Sequence, residues 1–271
     1  MLPDPILQLG KIKVHMYGVM IAVGILCAFI VLYTYGKKLK LNTKFLDFIY
    51  YDAIAAILLG FGSSALFQSL YNFIENPEAG FKLGGGITFI GGLIGGAAAF
   101  LLIYVLLRKK LSGRLYDAIS LVPCCILVAH GFGRIGCFFA GCCYGRPVSG
   151  FPGVCFPNVA GRVHPTQLYE AAFLFLMFAV CSYLLLKKNF RNNMSVYLIG
   201  YGVFRFFIEF VRNDSRGELV GGITPSQFWS ILMVALGIGL VFIMRYIGSI
   251  YTLAAIAEEA GDGDPVEEAD E

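Results

Sequence analysis

Charged side chains occur in two segments that are otherwise apolar enough to cross a membrane. Arg134 stands in the run of residues 130–137, and Arg205 precedes Glu209 by four positions in a second apolar run. An ionised group is costly in hydrocarbon, so such residues usually take part in binding or catalysis. The spacing of four places Tyr201, Arg205 and Glu209 on one face of a helix. This arrangement predicts a functional polar site, with a structural Arg205–Glu209 ion pair or snorkelling of Arg205 to the interface as the alternatives.

Histidine and tyrosine residues stand near these charged segments. His130 precedes Arg134 by four positions and shares its helical face, where it could act as a base or form an interhelical hydrogen bond. His164 stands before another apolar run, either as a catalytic group or as a partner in a loop or capping hydrogen bond. Tyr17, at the start of the first apolar run, is by itself typical of an aromatic anchor at the membrane interface.

The eight cysteines divide into two groups. Four lie within apolar runs, where a free thiol packs like a small hydrophobic side chain: Cys27, Cys124, Cys125 and Cys181. The other four lie at the end of the Arg134 segment or after it: Cys137, Cys142, Cys143 and Cys155. Packing, a disulfide, and a metal or thiolate site are the three interpretations of this second group. Because the chain contains no paired Cys-x-x-Cys pattern, we predict neither a metal ion nor a cofactor.

Apolar segments long enough to cross a bilayer account for most of the chain. The 271 residues are 58% hydrophobic, with a mean hydropathy of +0.73, and a membrane-spanning helix needs about 20 mainly apolar residues. We therefore predict an all-α integral membrane protein with about seven transmembrane helices. Their centres are expected near Val23, Ala56, Gly96, Val128, Phe178, Phe204 and Ala235. The net charge is only +3, and the basic residues lie in short blocks between these spans, which argues against a nucleic-acid-binding surface.

Basic residues mark alternate loops between the predicted spans. Basic blocks begin at Lys37 after the first span, at Arg108 after the third and at Lys187 after the fifth. By the positive-inside rule, the amino terminus is outside and the carboxyl terminus is cytoplasmic. We expect residues 1–256 to form one polytopic membrane domain, and residues 257–271, rich in Asp and Glu, to form a disordered cytoplasmic tail.

Several segments, in the same order, resemble the prolipoprotein diacylglyceryl transferase family along nearly the whole chain. The family's signature around its essential arginine resembles residues 133–136, and Gly141 and Gly145 follow at the proper spacing. The other segments that resemble the family are residues 15–18, 84–95, 164–170, 205–212 and 226–229. Several independent motifs in order make this resemblance specific, although no single motif is.

The resemblance implies a reaction at the membrane surface. Family members move the diacylglyceryl group of phosphatidylglycerol to the cysteine thiol of a prolipoprotein and release glycerol phosphate. It also implies that Arg134 and Arg205 hold the phosphate and that Glu209 orients Arg205 or acts as a base. The catalytic residues predicted on this basis are His130, Arg134, His164, Arg205 and Glu209. The predicted substrate-binding residues are Tyr17, Gly136, Cys137, Gly141, Gly145, Glu170, Tyr201 and Arg212. The expected partners are phosphatidylglycerol, a prolipoprotein or related acceptor, and the lipids of the bacterial cytoplasmic membrane.

The chain departs from the family within the expected site. Ile90 stands where the family has a histidine, and it can neither accept a proton nor hydrogen-bond a thiol. The family's two signature asparagines and its acidic residue are replaced by Cys137, Ala140 and Cys142. Activation of the acceptor is therefore expected to use His130, His164 or Glu209. A lipid-binding or thiol-redox membrane protein on the same scaffold is the alternative function.

Overall fold

Long apolar helices make up most of this protein. The computed structural model describes residues 5–9, 12–83, 86, 88–111, 113, 115–157, 159–213 and 222–261. Within these residues, seven helices are long and apolar enough to cross a membrane. Every predicted span centre falls inside one of them. The predicted all-α, multi-pass class and the predicted number of spans are thereby confirmed.

Helices and two small hairpins alternate along the described chain. In order they are β1 (Leu7–Leu9), β2 (Ile12–Val14), α1 (Met16–Lys38), α2 (Thr43–Glu75), α3 (Phe89–Leu107), α4 (Leu115–Ala118), α5 (Val122–Ala140), β3 (Val154–Cys155), β4 (Arg162–Val163), α6 (Thr166–Lys188), α7 (Asn193–Ile208) and α8 (Pro225–Gly261). Strand β1 pairs antiparallel with β2, with Leu7 opposite Val14, and β3 pairs antiparallel with β4, with Val154 opposite Val163. A 3-10 turn at Glu209–Val211 extends α7. The chain divides into two compact units, Met1–Ala28 with Ile119–Glu271, and Phe29–Ala118.

Helices α2 and α3 of the Phe29–Ala118 unit pack through small residues. A Cβ atom on Gly60 would lie 3.0 Å from the carbonyl oxygen of Gly92, so the two backbones nearly touch. The Ser64 hydroxyl donates a hydrogen bond to the carbonyl of Thr88 at 2.7 Å. In lipid, helix association depends on such close van der Waals packing and on interhelical hydrogen bonds. Packing therefore accounts for these glycines.

Helices α5 to α8 of the other unit pack closely as well. A Cβ atom on Gly131 in α5 would lie 2.9 Å from the ring of Phe175 in α6. A Cβ atom on Gly202 in α7 would lie 2.9 Å from the carbonyl oxygen of Ser230 in α8. These small residues let α5, α6, α7 and α8 approach closely enough for short polar side chains to bond between them.

Backbone hydrogen bonds fix the loop between α5 and α6. The amide of Gly145 donates to the carbonyl of His164 at 2.8 Å, and the amide of Arg146 donates to the carbonyl of Val211 at 2.8 Å. Gly145 also forms an isolated antiparallel bridge with Arg212. A Cβ atom at residue 145 would lie 2.6 Å from the Val211 carbonyl oxygen, so only glycine fits without displacement. The loop is thus attached to the entrance of α6 and to the end of the α7 segment.

The last helix extends beyond its membrane span. The apolar part covers Pro225–Ser249, and α8 continues to Gly261. Residues 262–271 of the predicted acidic tail lie outside the described residues, and the predicted boundary at residue 256 stays a prediction.

Candidate active site

The carboxylate of Glu170 is the centre of a buried polar network. Glu170 lies in the second turn of α6 and is 1% exposed. Its Oε1 atom lies 2.9 Å from Arg134 Nη2 and accepts a hydrogen bond from the Tyr201 hydroxyl at 2.5 Å. His130 Nε2 lies 3.9 Å from the same oxygen, and Arg212 Nη1 lies 4.0 Å from Oε2. Burial of this carboxylate is possible because cations and a hydroxyl surround it.

Helix α5 supplies two members of this network from one face. His130 and Arg134 are four residues apart, so their side chains lie one above the other along the helix. The His130 ring packs edge to face against the Tyr201 ring, with centroids 4.9 Å apart. Helix α5 packs against α6, which carries Glu170, and against α7, which carries Tyr201. The side chains of His130 and Arg134 therefore face these two residues across the helix interfaces.

A second carboxylate organises the end of α7. Arg205 Nη1 donates to Glu209 Oε2 at 2.7 Å, and Arg205 Nη2 donates to the Ser226 hydroxyl at 2.9 Å. The Thr224 hydroxyl donates to Glu209 Oε1 at 3.2 Å. Arg212 Nε lies 3.9 Å from Glu209 Oε2. Arg212 therefore lies between the two carboxylates and joins the Glu170 group to the Arg205 group.

The joined network contains more positive than negative charge. It has three guanidinium groups, on Arg134, Arg205 and Arg212, and two carboxylates, on Glu170 and Glu209. Without counting His130, these five groups of the described residues have a net charge of +1. An unbalanced charge away from water is costly, so the network is suited to binding an anion. Because guanidinium groups bind phosphate oxygens through paired hydrogen bonds, a phosphate is the natural ligand.

Arg134 is the guanidinium that an anion can reach most easily. Its side chain is 18% exposed, against 9% for Arg205 and 2% for Arg212. Among the described residues, the buried Nε atom of Arg134 has no hydrogen-bond partner. Arg134 thus keeps both access and an unused donor after pairing with Glu170.

Several predicted residues lie around the network and support its geometry. Gly136 packs against Tyr17, because a Cβ atom there would lie 3.1 Å from Tyr17 Cδ2. Gly141 ends α5 with a left-handed backbone (φ +70°). Gly145 forms the bridge to Arg212 described above. These three glycines shape the backbone that positions the side chains.

His164 lies apart from the network. Its Nδ1 atom is 3.2 Å from the Tyr169 hydroxyl, and its backbone pairs with Gly145 and Arg146. Across the described residues, no hydrogen bond or ion pair joins its ring to Glu170 or to an arginine of the network. Of the two histidines predicted as catalytic, the structure brings His130 to the Glu170 network and does not bring His164 there.

Two members of the network, Thr224 and Ser226, were not predicted from the sequence. Thr224 and Gln227 form a capping box at the start of α8: the Thr224 hydroxyl accepts from the Gln227 amide, and the Gln227 side chain accepts from the Thr224 amide. In the sequence, this pattern indicates only the start of a helix, so it gave no reason to predict a role for Thr224 in the site. Only the fold shows that Thr224 also reaches Glu209 and that Ser226 reaches Arg205.

The thiols of Cys137, Cys142 and Cys143 lie together, with sulfur atoms within 4.8 Å of one another. Hydrogen bonds from the thiols of Cys137 and Cys142, together with the positive charges of Arg212 and Arg134, lower the pKa of Cys143. Hydrogen bonds with the thiols of Cys137 and Cys143, together with burial, raise the pKa of Cys142. Cys155, on β3, is exposed and is not a member of this group.

Comparison with known proteins places this chain among named relatives. A model of the family described as prolipoprotein diacylglyceryl transferase matches residues 5–243. Three bacterial relatives carry the name phosphatidylglycerol–prolipoprotein diacylglyceryl transferase. One from Clostridium tetani is 38% identical over 248 residues, covering 88% of this chain and 96% of the relative. One from Clostridium perfringens, numbered 2, is 33% identical over 244 residues, covering 85% and 91%. One from Acinetobacter baylyi is 31% identical over 255 residues, covering 88% and 91%.

The family match covers six of the seven membrane-spanning helices in full and most of the seventh, including every residue of the buried network. The relatives are each more than 30% identical and are covered nearly end to end. The chain belongs to the prolipoprotein diacylglyceryl transferase family.

Proposed function

We propose that this protein transfers a diacylglyceryl group from phosphatidylglycerol to the cysteine thiol of a prolipoprotein. The observation that supports this most directly is the single excess positive charge of the buried network formed by Arg134, Arg205, Arg212, Glu170 and Glu209. The phosphodiester of phosphatidylglycerol has one negative charge and would neutralise it. The names of the relatives specify the same donor and the same class of acceptor.

The arginines would act on the leaving group. Transfer breaks the bond between a glyceryl carbon and a phosphate oxygen while a carbon–sulfur bond forms, so negative charge increases on the departing glycerol phosphate. Arg134 contacts this phosphate, since it is the most exposed guanidinium and has an unused donor. Arg205 stabilises the developing charge from the α7 side. Donors that are already oriented contribute more than mobile ones because no reorganisation is needed during the reaction.

The carboxylates would hold the arginines in place. Both oxygens of Glu209 already accept hydrogen bonds, one from Arg205 and one from Thr224. This arrangement favours an orienting role for Glu209 over a role as base. Glu170 holds Arg134 and Tyr201 in the same way.

His130 is the favoured acceptor of the thiol proton. Its side chain is 21% exposed and lies in the Glu170 network, whereas the His164 ring bonds to Tyr169. The incoming thiol gives its proton to His130, and its sulfur then attacks the glyceryl carbon. His164 retains a role in the loop that carries the Gly145 bridge.

We further propose that the site lies at the outer face of the bacterial cytoplasmic membrane. The basic blocks that begin at Lys37, Arg108 and Lys187 would be cytoplasmic, which puts the loop of residues 141–165 outside. Donor lipid would enter from the bilayer, and the prolipoprotein would approach from the same side. The amino terminus is then outside and the carboxyl terminus cytoplasmic.

Reconstituted protein tests this proposal. Vesicles containing phosphatidylglycerol are mixed with a lipobox peptide, and both released glycerol phosphate and the mass gain of the peptide are measured. Wild type should produce both signals in equal amounts, and Arg134→Ala and Arg205→Ala should abolish both. Arg245→Ala, on an exposed face of α8, is the matched control and should leave both signals intact.

Two results would contradict the proposal. Full activity in Arg134→Ala or Arg205→Ala would exclude the phosphate-binding role. Tight binding of phosphatidylglycerol by wild type without release of glycerol phosphate would favour the alternative, a lipid-binding or thiol-redox protein on the family scaffold. The cluster of three thiols formed by Cys137, Cys142 and Cys143 is the observation that supports a thiol-redox function as the alternative.

A further inference from the structure

Three cysteine side chains converge beside the C-terminal end of α5. The sulfur atoms of Cys137, Cys142 and Cys143 all lie within 4.8 Å of one another. All three residues are free thiols in the structure, Cys142 exposed and the other two half-buried. The transferase reaction proposed above makes no use of this cluster, so its convergence needs a separate explanation.

The end of α5 folds the cysteines back onto one another. The left-handed residue Gly141 stops the helix, and the amide of Cys142 then bonds to the carbonyl of Cys137 at 3.2 Å. Cys143 also adopts a positive φ of 63°, which is uncommon for a residue with a side chain. These two left-handed residues reverse the chain direction. Cys142 and Cys143, five and six positions after Cys137, are thereby brought next to it.

Two buried side chains hold this turn from α6. The Thr166 hydroxyl donates to the carbonyl of Cys143 at 2.7 Å, and the Gln167 amide donates to the carbonyl of Cys142 at 2.5 Å. Both side chains are 1% exposed. The turn is therefore fixed in position by buried hydrogen bonds, and the thiols are arranged before any ligand arrives.

A single soft metal ion fits this arrangement better than a disulfide. A disulfide joins two sulfur atoms and leaves the third without a role. Zinc bound by thiolates at about 2.3 Å holds sulfur atoms about 3.8 Å apart in a tetrahedron. The three sulfur atoms thus need to approach by about 1 Å or less, which rotation of the side chains can supply. Arg134 stands one helical turn before Cys137, and a guanidinium near a group of thiols favours their thiolate form as metal ligands.

We infer that Cys137, Cys142 and Cys143 form a three-thiolate site for a thiophilic divalent cation of the zinc type. Three protein ligands leave the fourth position of the tetrahedron open to a ligand from outside, the pattern of catalytic rather than structural zinc sites. On the proposed function, on which this step alone rests, the fourth ligand is the acceptor thiol, which binds as a thiolate once its proton has passed to His130. Cys155 is excluded from the site because its thiol is not part of the cluster.

Metal binding by the intact, reduced protein in detergent tests the inference. Co²⁺ reports on thiolate ligands through sulfur-to-metal charge-transfer absorption, and Zn²⁺ should displace it with the stoichiometry of one ion per chain. Separate Cys137→Ser, Cys142→Ser and Cys143→Ser variants should each weaken binding by at least tenfold. Cys155→Ser is the matched control and should bind like wild type. Thermal unfolding of each variant shows whether it remains folded.

The outcomes separate the metal site from the transferase. Absence of stoichiometric metal in wild type, or retention of full affinity in Cys142→Ser and Cys143→Ser, would overturn the inference. A disulfide between two of the three cysteines in protein purified without reductant, together with failure of the reduced protein to bind metal, would also overturn it. If metal binds but no phosphatidylglycerol is consumed, the site stands and the proposed function fails. If transfer proceeds in a protein that binds no metal, the proposed function stands and the metal site fails.

The fourth position has its own readout. A lipobox peptide should change the Co²⁺ absorption, whereas the same peptide with serine in place of cysteine should not. Identical spectra with the two peptides would remove the acceptor thiol from the metal site.

Discussion

Glu170→Gln is the most informative single change because Glu170 is the shared partner of the site. Glutamine keeps the shape and can still accept from Arg134 and Tyr201, but it removes the negative charge. Arg134 at 2.9 Å and Arg212 at 4.0 Å then lose their common counter-charge, and the network's excess rises from one positive charge to two. Two unit charges 4 Å apart interact by about 4 kcal/mol at an effective dielectric constant of 20. Breaking a buried ion pair by removing one partner costs about 3–5 kcal/mol.

We expect Glu170→Gln to lower the free energy of unfolding by about 3 kcal/mol, the lower end of that range, because two hydrogen bonds survive. We also expect kcat to fall about 100-fold, since Arg134 is no longer held in position toward the leaving phosphate. Stability is measured by unfolding in mixed micelles, and kcat by release of glycerol phosphate. Glu78→Gln, an exposed glutamate in the short turn after α2, is the matched control and should change neither value.

A double variant shows whether charge is the cause. Glu170→Gln combined with Arg134→Gln restores the original excess of one positive charge. The double variant should therefore be more stable than the sum of the two single losses predicts, by about 1–3 kcal/mol. Additive losses, or wild-type stability and kcat in Glu170→Gln, would refute a central role for Glu170.

Three further results are expected. Gly145→Ala should destabilise the protein by about 1–3 kcal/mol and lower kcat. The added Cβ atom would lie 2.6 Å from the Val211 carbonyl oxygen and displace the bridge to Arg212. Normal kinetics in this variant would contradict the expectation. Thr224→Val should lower kcat because it removes the hydrogen bond to Glu209, and should lower the free energy of unfolding by about 1 kcal/mol because it removes the cap on the Gln227 amide. Thr224→Ser should restore both. In intact cells, a membrane-impermeant thiol reagent should label Cys155; labelling only after the membrane is opened would reverse the proposed orientation.

Much of the fold was predictable from the chain because lipid imposes a simple rule. A segment that crosses hydrocarbon must satisfy its backbone hydrogen bonds internally, so long apolar runs become helices. The seven span centres all fell within spans for this reason. The same cost singles out charged residues in such runs, and Arg134, Arg205 and Glu209 were recognised without any structure.

What the sequence could not show was which charges pair. Local spacing linked Arg205 to Glu209, and the structure contains that pair. Glu170 stands in another helix, 36 residues after Arg134 in the chain, and no periodicity connects them. Their contact depends on the packing of α5 against α6, and so does the choice of His130 over His164.

For the cysteines, too, the sequence could not show which residues are in contact. Their spacing along the chain excluded a paired Cys-x-x-Cys motif and left packing, a disulfide and a metal site open. The tertiary structure decided which of them meet, because a left-handed turn after α5, held by Thr166 and Gln167, reverses the chain over Cys137. The sequence by itself thus determined that the protein spans the membrane and which residues are too costly to be there by chance. The fold alone decided which of those residues touch, since contacts between helices arise from packing that no local pattern encodes.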